Sequence, residues 1–143
     1  MIYRFPADMT ALPAVLAQLQ ALCAQSDPAL VLRAAMAIEE LFTNSVFHGL
    51  RTEGAPAQVG LSVQQHNGSL QVCYEDGFLP FDPFLGLDKT LATLERSGED
   101  RPVGGLGRLI VRGLADQASY TRDNAINRID MLFSPRARIA PNL

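Results

Sequence analysis

The chain has 143 residues, 48% of them hydrophobic and 19% charged, with a formal net charge of −3. That length points to one domain; the composition excludes a disordered chain, and no apolar stretch reaches the roughly 18 residues a membrane-spanning helix needs. Two cysteines, Cys23 and Cys73, and an opening without the basic start or apolar run of a leader fit a reduced, cytoplasmic protein, while the acidic balance argues against direct nucleic-acid binding.

Residues 2–5 alternate Ile, Tyr, Arg, Phe before Pro6, which predicts a short edge strand ending at the proline. A helix is predicted from Thr10, with Leu12, Val15, Leu16, Leu19 and Leu22 at helical spacing. Ser26-Asp27-Pro28 then opens a second helix running to about Gly49. Its apolar stripe reads Val31, Ala35, Ile38, Phe42 and Gly49, which puts Glu40 and Asn44 almost opposite. His48 continues their line at the same spacing of four.

Two strands follow, around Val59–Gln64 and Leu70–Glu75, joined by Asn67-Gly68, the favoured pair for a tight hairpin. Asp76-Gly77 ends the second strand, and Pro80-Phe81-Asp82-Pro83 cannot continue a central one. Residues 84–103 are polar and acidic, a lid candidate. Gly104-Gly105-Leu106-Gly107 opens a third helix, and a last hairpin pairs Ser119–Arg122 with Ile126–Phe133 across a turn at Asp123-Asn124. Helices segregated from a mixed, mostly antiparallel sheet make an α+β two-layer sandwich.

Three features carry chemistry. Glycines before a helix let the backbone N–H groups approach an anion, although the same residues also serve a plain loop. An amide oxygen such as Asn44 suits Mg²⁺, and Glu40 one turn away suits proton acceptance, while a polar helix face would look no different. Asp76 shares strand parity with Leu70, Val72 and Tyr74, so it points inward and must find a donor. An adenine amino group is one such donor; a backbone N–H in the following turn is the other.

The order of these features is more specific than any one of them. Glu39 through Gly49 resembles the N-box of the GHKL ATPases. Asp76 through Pro83 resembles the first glycine box of one branch, the anti-sigma-factor serine/threonine kinases. Val103 through Gly107, with Leu109, Ile110, Val111 and Ala115-Asp116, is similar to the second glycine box. A chain with no dimerisation helices or phosphoacceptor-histidine segment looks like the stand-alone kinases and unlike sensor histidine kinases.

The resemblance implies a Bergerat ATP-binding fold over the single domain 1–143, with 84–103 as a lid closing over Mg-ATP. It implies Asn44 as the Mg²⁺ ligand, Glu40 as general base, and Asp76, Gly77 and Phe78 around the adenine. Gly104, Gly105 and Gly107 would give N–H groups to the phosphates. It further implies an ATP-dependent anti-sigma kinase that phosphorylates an anti-anti-sigma (STAS-type) protein, holds a sigma factor, and forms a homodimer. The alternative is the same fold acting as a non-catalytic protein-binding module. Two departures bear on that choice: Phe78 stands where the family's adenine box has glycine, and Arg108 where its second box has leucine. An alternative alignment makes Glu75 the adenine acid; strand parity selects Asp76.

Overall fold

The structure, a computed structural model, describes residues 1–49, 57–84, 111 and 113–136. Its elements in chain order are β1 (Tyr3–Pro6), α1 (Leu12–Leu22), α2 (Pro28–His48), β2 (Gln58–His66), β3 (Ser69–Asp76), β4 (Gln117–Asp123) and β5 (Ile126–Phe133). The strands form one sheet in the order β1-β2-β3-β5-β4, antiparallel at all four pairings. The expected α+β two-layer sandwich is therefore present, and β5 rather than β4 lies beside β3. The glycines 104, 105 and 107, Arg108, and the lid segment beyond Phe84 lie outside the described residues.

Local signals explain most element ends. A 3-10 turn at Met9–Ala11, capped by Asp8 Oδ1 accepting from the Thr10 amide at 2.9 Å, precedes α1, so the α-helix proper starts at Leu12 instead of Thr10. Asp27 caps α2 through the Ala29 amide, with Pro28 in the first turn, where its missing N–H costs nothing. Asn67 and Gly68 take φ of 50° and 79°, the left-handed pair that a two-residue hairpin needs. The second hairpin turns at Asn124-Ala125, one residue later than the sequence predicts, with φ of 49° and 63°. Asp123 pairs with Ile126, which extends β4 through the aspartate.

The core lies between the sheet and the helices. Leu61, Leu70, Val72, Tyr74, Met131 and Phe133 from alternate strand positions meet Val15 and Leu19 of α1 and Leu30, Ala34, Ile38 and Phe42 of α2, all buried. The opposite parity carries exposed Gln64, Gln71 and Arg128. The buried face of α2 departs from the expected stripe: it holds Leu30, Ala34, Ala37, Ile38, Leu41, Phe42 and Ser45, with Val31 and Ala35 at its margin. A sparse series at steps of three, four and seven underestimates a helix that packs against both the sheet and α1. The centre of burial rotates towards Leu41, so Asn44 and His48 flank the buried face instead of opposing it.

Candidate functional site

The last two turns of α2, the end of β3 with the turn that follows, and the start of β5 enclose a cavity of about 120 Å³. Asn44, Ser45 and His48 line it from the helix, Asp76 and Phe78 from β3 and its turn, and Asn127 from β5. Sheet register sets the floor: Asp76 pairs with Val59 on one side and Asn127 on the other, so both polar side chains fall on the helix-covered face.

Asp76 is the hub. Its Oδ1 accepts from the Phe78 amide at 3.1 Å and from Asn127 Nδ2 at 2.9 Å, and its Oδ2 accepts from Ser45 Oγ at 3.2 Å. Ser45 in turn accepts from the Tyr74 hydroxyl at 2.7 Å. Burial pushes the Tyr74 hydroxyl far above the ordinary tyrosine range, so Tyr74 stays a donor and the Ser45 proton is directed at Asp76. The bland partner expected from sequence, a backbone N–H of the next turn, is thus in place, but it meets only one oxygen. Glu75, the other candidate acid, faces away and pairs with Arg128 at 3.4 Å.

Phe78 is 4% exposed and packs on the C-terminal end of α2. A Cβ on Gly49 would stand 2.6 Å from Phe78 Cδ2 and 2.4 Å from the Ser45 carbonyl oxygen, so Gly49 is what admits the ring. Gly77 has room to spare, with Ile126 Cδ1 at 4.0 Å from a Cβ there, so crowding does not explain that glycine. Asn44 is half-buried on the cavity wall, and its side chain makes no hydrogen bond among the described residues, which leaves its amide oxygen open to a hard cation. Glu40 is half-buried one turn earlier and does not line the cavity. His48 is exposed at the rim.

Sequence reasoning missed Ser45, Asn127 and Arg122. The signals were present. Ser45 follows Leu41 by four and Phe42 by three, an inward position, and Asn127 shares the parity of Ile129, Met131 and Phe133. Arg122, paired with Asn127 in the sheet, donates to the Phe78 carbonyl at 3.0 Å and so fastens the turn that carries Phe78.

Among the described residues, an antiparallel sheet backed by α1 and α2, with an acid-floored cavity where α2 ends over the sheet, makes a two-layer α+β domain. The family model described as a histidine kinase-like ATPase domain matches residues 5–133, and the chain belongs to that family. Among solved structures the chain is similar to the RsbU and RsbW domains of Rv1364c from Mycobacterium tuberculosis. There the TM-score is 0.57 at 14% identity, over 98% of this chain and 34% of that one. The chain thus spans about a third of that structure's length. It is also similar to the histidine kinase domain of the Erythrobacter litoralis EL346 blue-light activated histidine kinase, with TM-score 0.43 and 17% identity over 89% of this chain and 61% of that one. No curated protein matches it. At 14% identity the likeness to the Rv1364c domains shows the fold.

Proposed function

We propose that the cavity is the base-binding end of an Mg-ATP site and that the chain is a serine/threonine protein kinase acting as an anti-sigma factor. The observation that carries the site is Asp76, an inward carboxylate on the cavity floor whose Oδ2 retains acceptor capacity, in the same cavity as Asn44, whose amide has no hydrogen-bond partner among the described residues. Bound Mg-ATP would supply the transferable phosphoryl group. Asp76 would accept the base amino group, Asn44 would hold the cation through its amide oxygen, and Glu40 would take the proton of the acceptor hydroxyl. Gly104, Gly105 and Gly107, which lie outside the described residues, would give backbone N–H groups to the phosphates, as the sequence resemblance implies. Such a site works mainly by positioning and charge neutralisation.

The anti-sigma role is supported by the order of the three sequence boxes and by the likeness to the RsbU and RsbW domains of Rv1364c. In this reading the partners are an anti-anti-sigma (STAS-type) protein as phosphoacceptor, a sigma factor, and a second copy of the chain. Among the described residues no helix is long and apolar enough to cross a membrane.

Calorimetric titration of ATP with and without Mg²⁺ tests this. Magnesium-dependent binding that disappears in Asn44→Ala is the expected result, with Glu40→Ala retaining binding and losing phosphoryl transfer to the acceptor. One observation favours a second reading, a non-catalytic protein-binding module. Phe78 fills space beside Gly49 and the cavity of about 120 Å³ is small beside the roughly 300–1,000 Å³ of drug-sized ligand sites. Wild-type protein that ignores Mg-ATP yet binds its protein partner selects that module.

A further inference from the structure

Asn127 is 4% exposed, and its amide can point only one way. Its Oδ1 accepts from the Tyr120 hydroxyl at 2.6 Å and from the Arg122 guanidinium at 2.8 Å. A guanidinium only donates, so an oxygen must face it. Nδ2 is therefore turned to three acceptors: Asp76 Oδ1 at 2.9 Å, the Leu79 carbonyl at 2.9 Å and the Phe78 carbonyl at 3.3 Å. Arg122 and Tyr120, on the edge strand β4, thus set the state of a carboxylate two strands away.

The consequence appears when lone pairs are counted. An ionised carboxylate accepts about four hydrogen bonds, roughly two per oxygen. Oδ1 of Asp76 already holds two donors, the Phe78 amide and Asn127 Nδ2, while Oδ2 holds only the Ser45 hydroxyl. One acceptor place remains, and it is on Oδ2.

We infer that Asn127 is a specificity-determining residue: by saturating Oδ1 it restricts the cavity floor to a ligand that offers a single N–H donor. The inference rests on the nucleotide reading of this cavity. An adenine presents one amino group and needs one oxygen. A guanine presents its ring N1–H and 2-amino group side by side, the donor pair that grips both oxygens of an open carboxylate. Against this floor one of that pair meets an oxygen with no lone pair to give, and a buried donor left unpaired is costly. Asn127 contributes to this discrimination through the Asp76 oxygen it occupies.

The test is calorimetric binding of ADP and GDP to the full chain, wild type against Asn127→Ala, with far-UV circular dichroism reporting that both are folded. Wild type is expected to prefer ADP by about 100-fold or more, and the variant to lose at least about tenfold of that preference as Oδ1 opens. A merely structural role for Asn127 would weaken both nucleotides together and leave the ratio unchanged, which overturns the proposal. Should Asn127→Ala fail to fold, competition against ADP on the wild type decides. With one acceptor place, GDP competes no better than IDP, which lacks the 2-amino group; a gain of about tenfold for GDP refutes the count. If the wild type binds neither ADP nor GDP, the nucleotide reading itself has failed and this inference falls with it. Retained ADP binding with an unchanged ratio sinks the inference alone.

Discussion

The relay Tyr74–Ser45–Asp76 makes a prediction that needs no ligand. Tyr74 is 2% exposed, and its hydroxyl has two acceptors: Ser45 Oγ at 2.7 Å and the Leu41 carbonyl at 3.4 Å. Tyr74→Phe removes one good hydrogen bond and strands nothing that solvent or Asp76 cannot satisfy, so it should cost about 1 kcal/mol. Ser45→Ala removes two bonds and leaves the tyrosine hydroxyl buried with only its long contact to Leu41, and should cost about 2–3 kcal/mol. The double variant removes the stranded hydroxyl together with its partner. Its cost should be about 2 kcal/mol, less than the sum of the singles, a coupling of about 1 kcal/mol or more. Urea unfolding of the four proteins measures this, with an unchanged m-value confirming that the same transition is compared. At this chain length each kcal/mol corresponds to about 4 °C in Tm, which gives a second readout. Additive effects within about 0.5 kcal/mol would show that the three groups do not act as a relay and that Tyr74 does not direct the Ser45 proton at Asp76.

Two further outcomes follow from the geometry. Ala125 holds φ of 63° in the β4–β5 turn, where an L side chain costs about 1 kcal/mol and glycine costs little, so Ala125→Gly should stabilise by about 0.5–1 kcal/mol; a loss of stability by urea unfolding would contradict the turn assignment. Burial raises the Asp116 carboxyl, but the Ser134 amide at 2.6 Å, the Arg33 hydrogen bond and charge, and Arg136 outweigh it and hold the carboxyl below its ordinary value. A carboxyl lowered in the folded state stabilises above its unfolded pKa and ceases to do so as pH falls through the folded one. Asp116→Asn should therefore lose about 0.5–1 kcal/mol at pH 7, allowing for solvent screening of a side chain 31% exposed, and the gap to wild type should close as pH falls below the ordinary carboxylate range. A gap independent of pH would assign the loss to packing.

How much of this was legible in the sequence depends on the range of the interaction. The strands, the Asn67-Gly68 turn and the choice of Asp76 over Glu75 follow from period-two alternation, a local property, and the register confirms the parity by setting Tyr74 opposite Leu61 and Ile129. The turn at Asn124-Ala125 was misplaced by one residue because alanine carries no sign of the left-handed backbone it adopts. What alternation could not disclose is which inward polar groups meet. Asn127 reads as an anomaly in an apolar run, but its role depends on β5 lying next to β3, a crossover that puts it beside a residue 51 positions away. The tenancy of Phe78 was equally hidden, since the glycine that makes room for it, Gly49, ends a different element.

The Glu40, Asn44, His48 line shows how a correct periodicity can still misplace a site. Steps of four on a helix of 3.6 residues per turn rotate by about 40° each, so residues aligned in sequence spiral around the axis. On α2 that spiral runs from the flank at Glu40, across the cavity wall at Asn44, to the rim at His48, and only the last two line the cavity. Under the kinase reading this separation has a use. The cation ligand belongs inside, where the base acceptor Asp76 is, whereas a general base that serves a protein hydroxyl must be reachable from outside by a second macromolecule. Glu40, half-buried and off the cavity wall, meets that requirement. The two residues should then separate in assay: Asn44→Ala lowers the affinity for Mg-ATP, while Glu40→Gln leaves that affinity within about twofold and lowers transfer by roughly 10²–10⁴-fold. Parallel losses in both assays for both variants would mean that Glu40 works inside the cavity, contrary to where the helix places it.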